Sequence, residues 1–457
     1  MGRYSNRLAP SGREAEGQMD RDPRAIIAES RMSRAQIIAV AITLGLSGLD
    51  GFDVLSISFA SPNIAAEWGI ERAALGIVLS MELIGMAAGS IGLGGIADRI
   101  GRRPMILACL VVMAIGMFMV TATDSIAMLA LWRVFTGLGI GGMLSAITAT
   151  VAEYANARTK NAAVALTAIG YPIGAVLGGI VASRLLQAAD WRAIFLFGSA
   201  ATLCFIPIVW FALPETISFL CHKRPRGALD EINRSLARMG RPRVAALPPV
   251  ADNAPRKSIA DILRPELLAT TLLVTIAYFA HMTTFYFIIK WVPKIVTDMG
   301  FAPSAAAGVL VWANVGGAAG GATLAMLARW IPLKLLLLTV LVGSVLMVSW
   351  FGRSQPDLAA LAWSVGIAGF FTNAGVVALY AIFAQVFPTH VRATGTGFAI
   401  GFGRLGAVIS PILGGVLMQA GVSLSGVAIT MACGSAIAAI AILFVRVAEA
   451  EETPRPA

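Results

Sequence analysis

The chain has 457 residues, of which 57% are apolar and 13% charged, roughly half the charged share of a soluble globular protein. That balance excludes an ordinary water-soluble domain, and the 47 glycines suit closely packed membrane helices. A net charge of +10 comes with no aromatic-interleaved basic patch, so nucleic acid is excluded as a partner and the charge reads as a topology signal.

Residues 1–35 are polar and of mixed charge. They lack an apolar core followed by a small-residue cleavage site, so they read as a disordered cytosolic tail and not as a signal peptide. Apolar blocks follow at 36–60, 74–96, 105–122, 126–150, 161–184 and 193–213. A second set lies at 267–289, 305–328, 333–351, 358–383, 393–418 and 423–446. Each is long enough to cross a hydrocarbon core of about 30 Å. The fold class expected is an all-α membrane protein: twelve transmembrane helices in two pseudo-symmetric six-helix bundles, 36–213 and 267–446. Residues 214–266 read as a cytosolic linker in which Arg226–Gly240 can form an amphipathic helix on the membrane surface, and 447–457 as a cytosolic tail.

Most of the 35 Lys and Arg residues fall on one side when both termini are cytosolic, as the basic-loop rule for an inner membrane requires. The halves match at an offset of about 232 residues, on the helical-repeat pattern of transporters: Lys160 falls against Arg392, and Gly174-Ala175-Val176 against Gly406-Ala407-Val408. The four cysteines stand singly, without metal or redox spacing, and the three histidines are far apart. No metal site, cofactor or enzymatic triad is expected, and the protein is expected to function as a monomer in the lipid bilayer.

Charged residues inside a span are costly and mark function. Asp50 and Asp53 lie three apart in the first span, on one helix face, at a depth of about 21 Å for Asp50. Two carboxylates this close repel when both are ionised, which favours uptake of a proton. Glu82, Arg133, His281 and Arg404 reach the same middle layer by the same arithmetic. Arg404 is the first choice to bind a substrate carboxylate, through its bidentate guanidinium. Arg133 is expected to partner Asp50 or Asp53, or to serve as a second substrate contact. Glu82 is either an adaptation to the substrate or an extra proton site. In the seventh span Tyr278, Phe285 and Tyr286 can stack on an aromatic ligand. His281, and Asn314 and Asn373 in the eighth and tenth spans, are further polar candidates to line the substrate site.

Between the second and third spans, Gly94-Gly95-Ile96-Ala97-Asp98-Arg99-Ile100-Gly101-Arg102-Arg103-Pro104 combines glycines that let helix ends approach with an Asp able to pair with arginines. This stretch resembles the signature of the major facilitator superfamily, as do Arg133-Val134-Phe135-Thr136-Gly137 and Leu213-Pro214-Glu215-Thr216. Asp50-Gly51-Phe52-Asp53, and Phe387-Pro388 through Arg392-Ala393-Thr394-Gly395 with Arg404, resemble the aromatic acid:proton symporters within it. The resemblance implies alternating access and a cytoplasmic gate made by Gly94, Asp98, Arg99, Gly101, Arg102 and Arg103. It also gives Glu153 a role, bridging Arg99 or Arg102 in that gate or relaying protons. The second-half counterpart, Leu327-Ala328-Arg329-Trp330-Ile331-Pro332, lacks the Asp. The expected function is proton-coupled import of a carboxylated, aromatic small molecule. The alternatives are another organic acid or polar solute, or export, against which Tyr171 before Pro172 speaks because drug antiporters carry glycine there.

Overall fold

The computed structural model describes residues 22–249, 259–388 and 391–445. It contains twelve helices long and apolar enough to cross a membrane. We number them α1 (Arg34–Trp68), α2 (Arg72–Ile100), α3 (Arg102–Val120), α4 (Ile126–Tyr154), α5 (Lys160–Ala188) and α6 (Arg192–Ala212) in the first half. The second half holds α7 (Pro265–Asp298), α8 (Pro303–Leu327), α9 (Leu333–Phe351), α10 (Leu358–Val386), α11 (Arg392–Gln419) and α12 (Leu424–Phe444). Large side chains such as Phe211 and Phe444 are mostly exposed, an arrangement that water penalises and lipid accepts.

Local chemistry sets the helix starts. Ser33 and Gln36 form a reciprocal capping box on α1, and Ser125, Asp357 and Ser423 cap α4, α10 and α12. The halves are built alike: α1 packs on α5, α2 on α4 and α3 on α6, and the second half repeats this as α7 on α11, α8 on α10 and α9 on α12. The repeat is in register to the residue at one point, since α5 begins at Lys160 and α11 at Arg392.

Three expectations need correction. Chain expected to be disordered is ordered from Asp22: Pro23–Glu29 is a helix, capped by Asp22, that buries Ile26 and Ile27. The linker helix Ala228–Arg238 does have an apolar stripe, but Ile232 and Leu236 are buried in one cluster with Ile26, Ile27, Leu213 and Ile217, so it packs on protein and not on lipid. Residues 1–21, 250–258 and the expected tail 447–457 lie outside the described residues. Finally, two helices overrun their expected spans, α1 reaching Trp68 and α7 reaching Asp298. The expected runs stop at Ser61-Pro62-Asn63 and at Lys290, residues that the helices carry through.

The halves meet at the end opposite the termini, here called distal. There Arg72 pairs with Asp298 at 3.1 Å, the Gln419 side chain accepts from the Ala73 N–H, and Ser183 donates to the Ser304 carbonyl. Further in, Ser80 on α2 donates to the Val408 carbonyl on α11 at 2.7 Å. Gly76 and Gly415 let backbone lie on backbone, because a Cβ at either would strike Pro411 or Arg72 main-chain atoms. Among described residues the last hydrogen bonds crossing the seam join Arg404 to the Met86 carbonyl and Ser90. Beyond them, toward the termini, α2 and α11 part around a cavity of about 660 Å³.

Candidate functional site

Asp50 and Asp53 project from α1 into the first half, and both are buried, with 2% and 0% of their surface exposed. None of their four carboxylate oxygens accepts a hydrogen bond from a described residue. Asp50 lies within electrostatic reach of Asp53 and Glu82, and Asp53 within reach of Arg133 and Glu82.

Contrary to the expectation from sequence, Arg133 pairs with neither aspartate side chain. Its guanidinium forms an ion pair with Glu82, donates to the Asp53 main-chain carbonyl at 3.0 Å, faces the Met117 sulfur, and lies 5.5 Å from the centre of the Phe195 ring. The reason is reach: α2 and α4 pack so closely that Gly137 faces the Glu82 main chain directly, which sets Glu82 against Arg133.

A residue absent from the sequence expectations completes the group. Lys290 on α7 is fully buried, donates to the Val54 carbonyl of α1, and stands 3.5 Å from the other Glu82 oxygen. It is the cation by which the second half enters this cluster. Ending the seventh span at the first charge, Lys290, hid it; the apolar run that resumes at Trp291-Val292 and Ile295-Val296 was the available signal.

Arg404 sits on α11 at the inner end of the cavity, whose wall also includes Ser90, Arg392, Thr396 and Gly401. Tyr286, half-buried, lies within electrostatic reach of both Arg404 and Glu82, and Tyr171 within reach of Tyr286, Glu82 and Asp50. Tyr286 thus links the acidic cluster electrostatically to the cavity arginine. Tyr286 also packs against all three main apolar clusters, so it is where the cores of the two halves touch. Phe285 meets it edge-on at 5.3 Å. Tyr278 is buried, hydrogen-bonds the Tyr380 hydroxyl at 2.9 Å, and fits against Gly403.

Three polar candidates fall elsewhere. His281 lies inside the second half, with Nδ1 2.9 Å from Ser435 Oγ and Nε2 2.8 Å from the Thr372 carbonyl, so both nitrogens are satisfied away from the cavity. Asn373 donates to the Gly317 carbonyl and braces α8 against α10. Asn314 donates to Leu310 within its own helix. His281 and Asn373 thus serve helix packing and Asn314 its own helix, which the sequence did not reveal.

At the terminal end the glycine-rich stretch is not a loop. Gly94–Ile100 continues α2, and Gly101 alone turns the chain, at φ +111°. Arg102 pairs with Asp98 at 2.6 Å and reaches Glu153 at 3.5 Å. Arg103 lies over the Trp210 ring, and Arg99 is exposed. Gly94 approaches Ser145 of α4. Glu215, not among the gate residues expected, accepts the Arg102, Arg103 and Thr216 main-chain N–H groups at 3.1, 3.2 and 2.8 Å. It thereby places a carboxylate at the open start of α3. Burial pushes the Glu215 carboxyl above its ordinary range, and the three N–H donors pull the other way.

Two six-helix bundles, closed at one end and parted at the other, have the architecture of a membrane transporter. The chain belongs to the Major Facilitator Superfamily, which it matches over residues 43–363. It is 30% identical to a 4-hydroxybenzoate transporter of Pseudomonas aeruginosa, over 92% of this chain and 95% of that protein. It is 28% identical to a gallate transporter of Pseudomonas putida, over 86% and 88%. In fold it is similar to the inward-open xylose transporter from E. coli, with a TM-score of 0.69 at 17% identity over 91% of this chain and 97% of that one.

Proposed function

We propose that the protein imports a carboxylated, aromatic small molecule together with protons across a bacterial inner membrane, with both termini in the cytosol. The observation that carries this reading is the pair of buried α1 carboxylates, Asp50 and Asp53, with no hydrogen-bond donor among the described residues and within reach of the Glu82–Arg133 pair. Two carboxylates this close together inside a span can take up and release protons as their access to water changes. Arg404, at the inner end of the cavity, receives the substrate carboxylate, and the Tyr286 and Tyr278 hydroxyls lie within electrostatic reach of it. Relatives named for gallate and 4-hydroxybenzoate support the cargo class.

Coupling has an energetic reason. Moving a monoanion into a negative interior is opposed by about 2.3 kcal/mol per 100 mV, and one accompanying proton cancels that charge. The test is uptake of labelled 4-hydroxybenzoate and gallate into proteoliposomes under an imposed pH gradient. Uptake should follow the gradient, collapse with a protonophore, and vanish in Asp53→Asn. Uptake indifferent to the protonophore would overturn the coupling, and no uptake of either acid would overturn the cargo class. For Arg404→Lys the expected result is a loss of apparent affinity of about ten-fold, as a point charge replaces a bidentate fork.

A further inference from the structure

We infer that Lys290 is a positioning residue of the transport cycle: by gripping Glu82 and the Val54 carbonyl from the opposite half, it holds the distal seam closed. The assignment rests on alternating access alone and is independent of the cargo or the coupling ion.

Two cations hold consecutive carbonyls of α1. Arg133, from the same half, donates to Asp53; Lys290, from the other half, donates to Val54. Glu82 takes Arg133 on one oxygen and faces Lys290 with the other. Lys290 is thus the trans-half member of a cluster built around the main chain beside Asp53. Every group in it is fully buried, where an ion pair is screened least and a partnerless charge costs most.

The position of the cluster gives it its effect. Among the described residues, what lies distal to it is the exposed Arg72–Asp298 pair, the uncharged Gln419, Ser183 and Ser80 contacts, glycine-lined backbone surfaces, and apolar side chains such as Phe59, Leu75, Val292 and Ile295, so no other buried charge pair crosses the seam there. Exposed pairs contribute little. When the distal ends part, α7 must leave α1 and α2, and the Lys290 contacts are the buried charge interactions between them that have to break. Opening is therefore linked to whatever occupies Glu82 and the carbonyl beside Asp53.

The test measures seam opening without substrate. The full-length protein, with its four native cysteines replaced and Ser80→Cys as reporter, is placed in nanodiscs and its maleimide labelling rate followed. Ser80 is buried between α2 and α11 on the distal side. Lys290→Met, which keeps the length and removes the charge, should raise the labelling rate about ten-fold. Lys290→Arg should stay within about two-fold of the parent, and so should Arg72→Ala, which removes only the exposed pair. A Lys290→Met rate no higher than that of Arg72→Ala overturns the inference. Should Lys290→Met not fold, cross-linking of Ser183→Cys to Ser304→Cys in Glu82→Gln gives the second measurement. A lowered yield supports the inference, and an unchanged yield overturns it. Since neither measurement involves transport, failure here leaves the proton-coupled import reading untouched, and failure of that reading leaves this one standing.

Discussion

Arg133 and Glu82 show how much a single buried charge depends on its partner. Replacing Arg133 with Met leaves Glu82 with Lys290 at 3.5 Å and removes the donor to the Asp53 carbonyl. Breaking a buried pair from one side typically costs about 3–5 kcal/mol. We expect Arg133→Met to show a clearly lowered midpoint in detergent thermal unfolding, and Arg133→Met/Glu82→Met to recover nothing, because it leaves Lys290 buried without its acid. Glu215 makes a second residue-scale case. Its carboxylate satisfies two N–H groups at the start of α3, besides that of Thr216, so Glu215→Ala should cost about 1–2 kcal/mol, the range for losing a helix cap, and Glu215→Gln less. Gly101 is tied to the same spot: its φ of +111° and the adjacent Glu215 carboxylate leave no room for a Cβ, so Gly101→Ala should destabilise α3 as well.

Among the elements, α7 carries the sharpest distinction between packing and transport. Tyr286 and Lys290 face the first half, whereas His281 is held by Ser435 and Thr372 within the second. His281→Ala should therefore lower the unfolding midpoint while leaving the affinity for a transported acid within about two-fold, measured by the ligand-induced midpoint shift. Sequence could place α7 but not its faces. A histidine and a lysine in an apolar run look alike as intramembrane polar groups, and only the packing of α7 against α10, α12 and α1 separates them. The same holds for Asn373, whose partner is a main-chain carbonyl and so leaves no trace in residue type. What the sequence did make legible was of another kind. Twelve apolar blocks and a repeat at constant offset are properties of the chain itself, and they gave the architecture. Asp50, Asp53 and Arg404 stood out because charge in lipid is rare. The Arg133 partner was missed because depth counts along single helices cannot say which neighbours face each other.

For the whole molecule, the two ends differ. The distal end is closed by contacts across the seam, and the terminal end is parted around the cavity lined by Thr396 and Arg404. A cysteine at Thr396 should therefore react readily with maleimide, and a transported acid should slow the reaction at least several-fold, because occupancy at Arg404 fills the inner end of that cavity. The terminal end is also asymmetric in charge. Asp98, Arg102 and Glu153 form a linked set in the first half, while the matching second-half stretch after α8 has no acidic residue. We propose on this basis that the latch closing this end is contributed mainly by one bundle.

Gly76 and Gly415 were described as places where main chain lies on main chain. Contact of that sort has no interlocking teeth, so the two surfaces can separate without any rotamer having to change first. It also makes them easy to jam: Gly76→Leu would act as a wedge, propping the distal mouth apart. Such a variant offers a way to hold the opposite state long enough to image it.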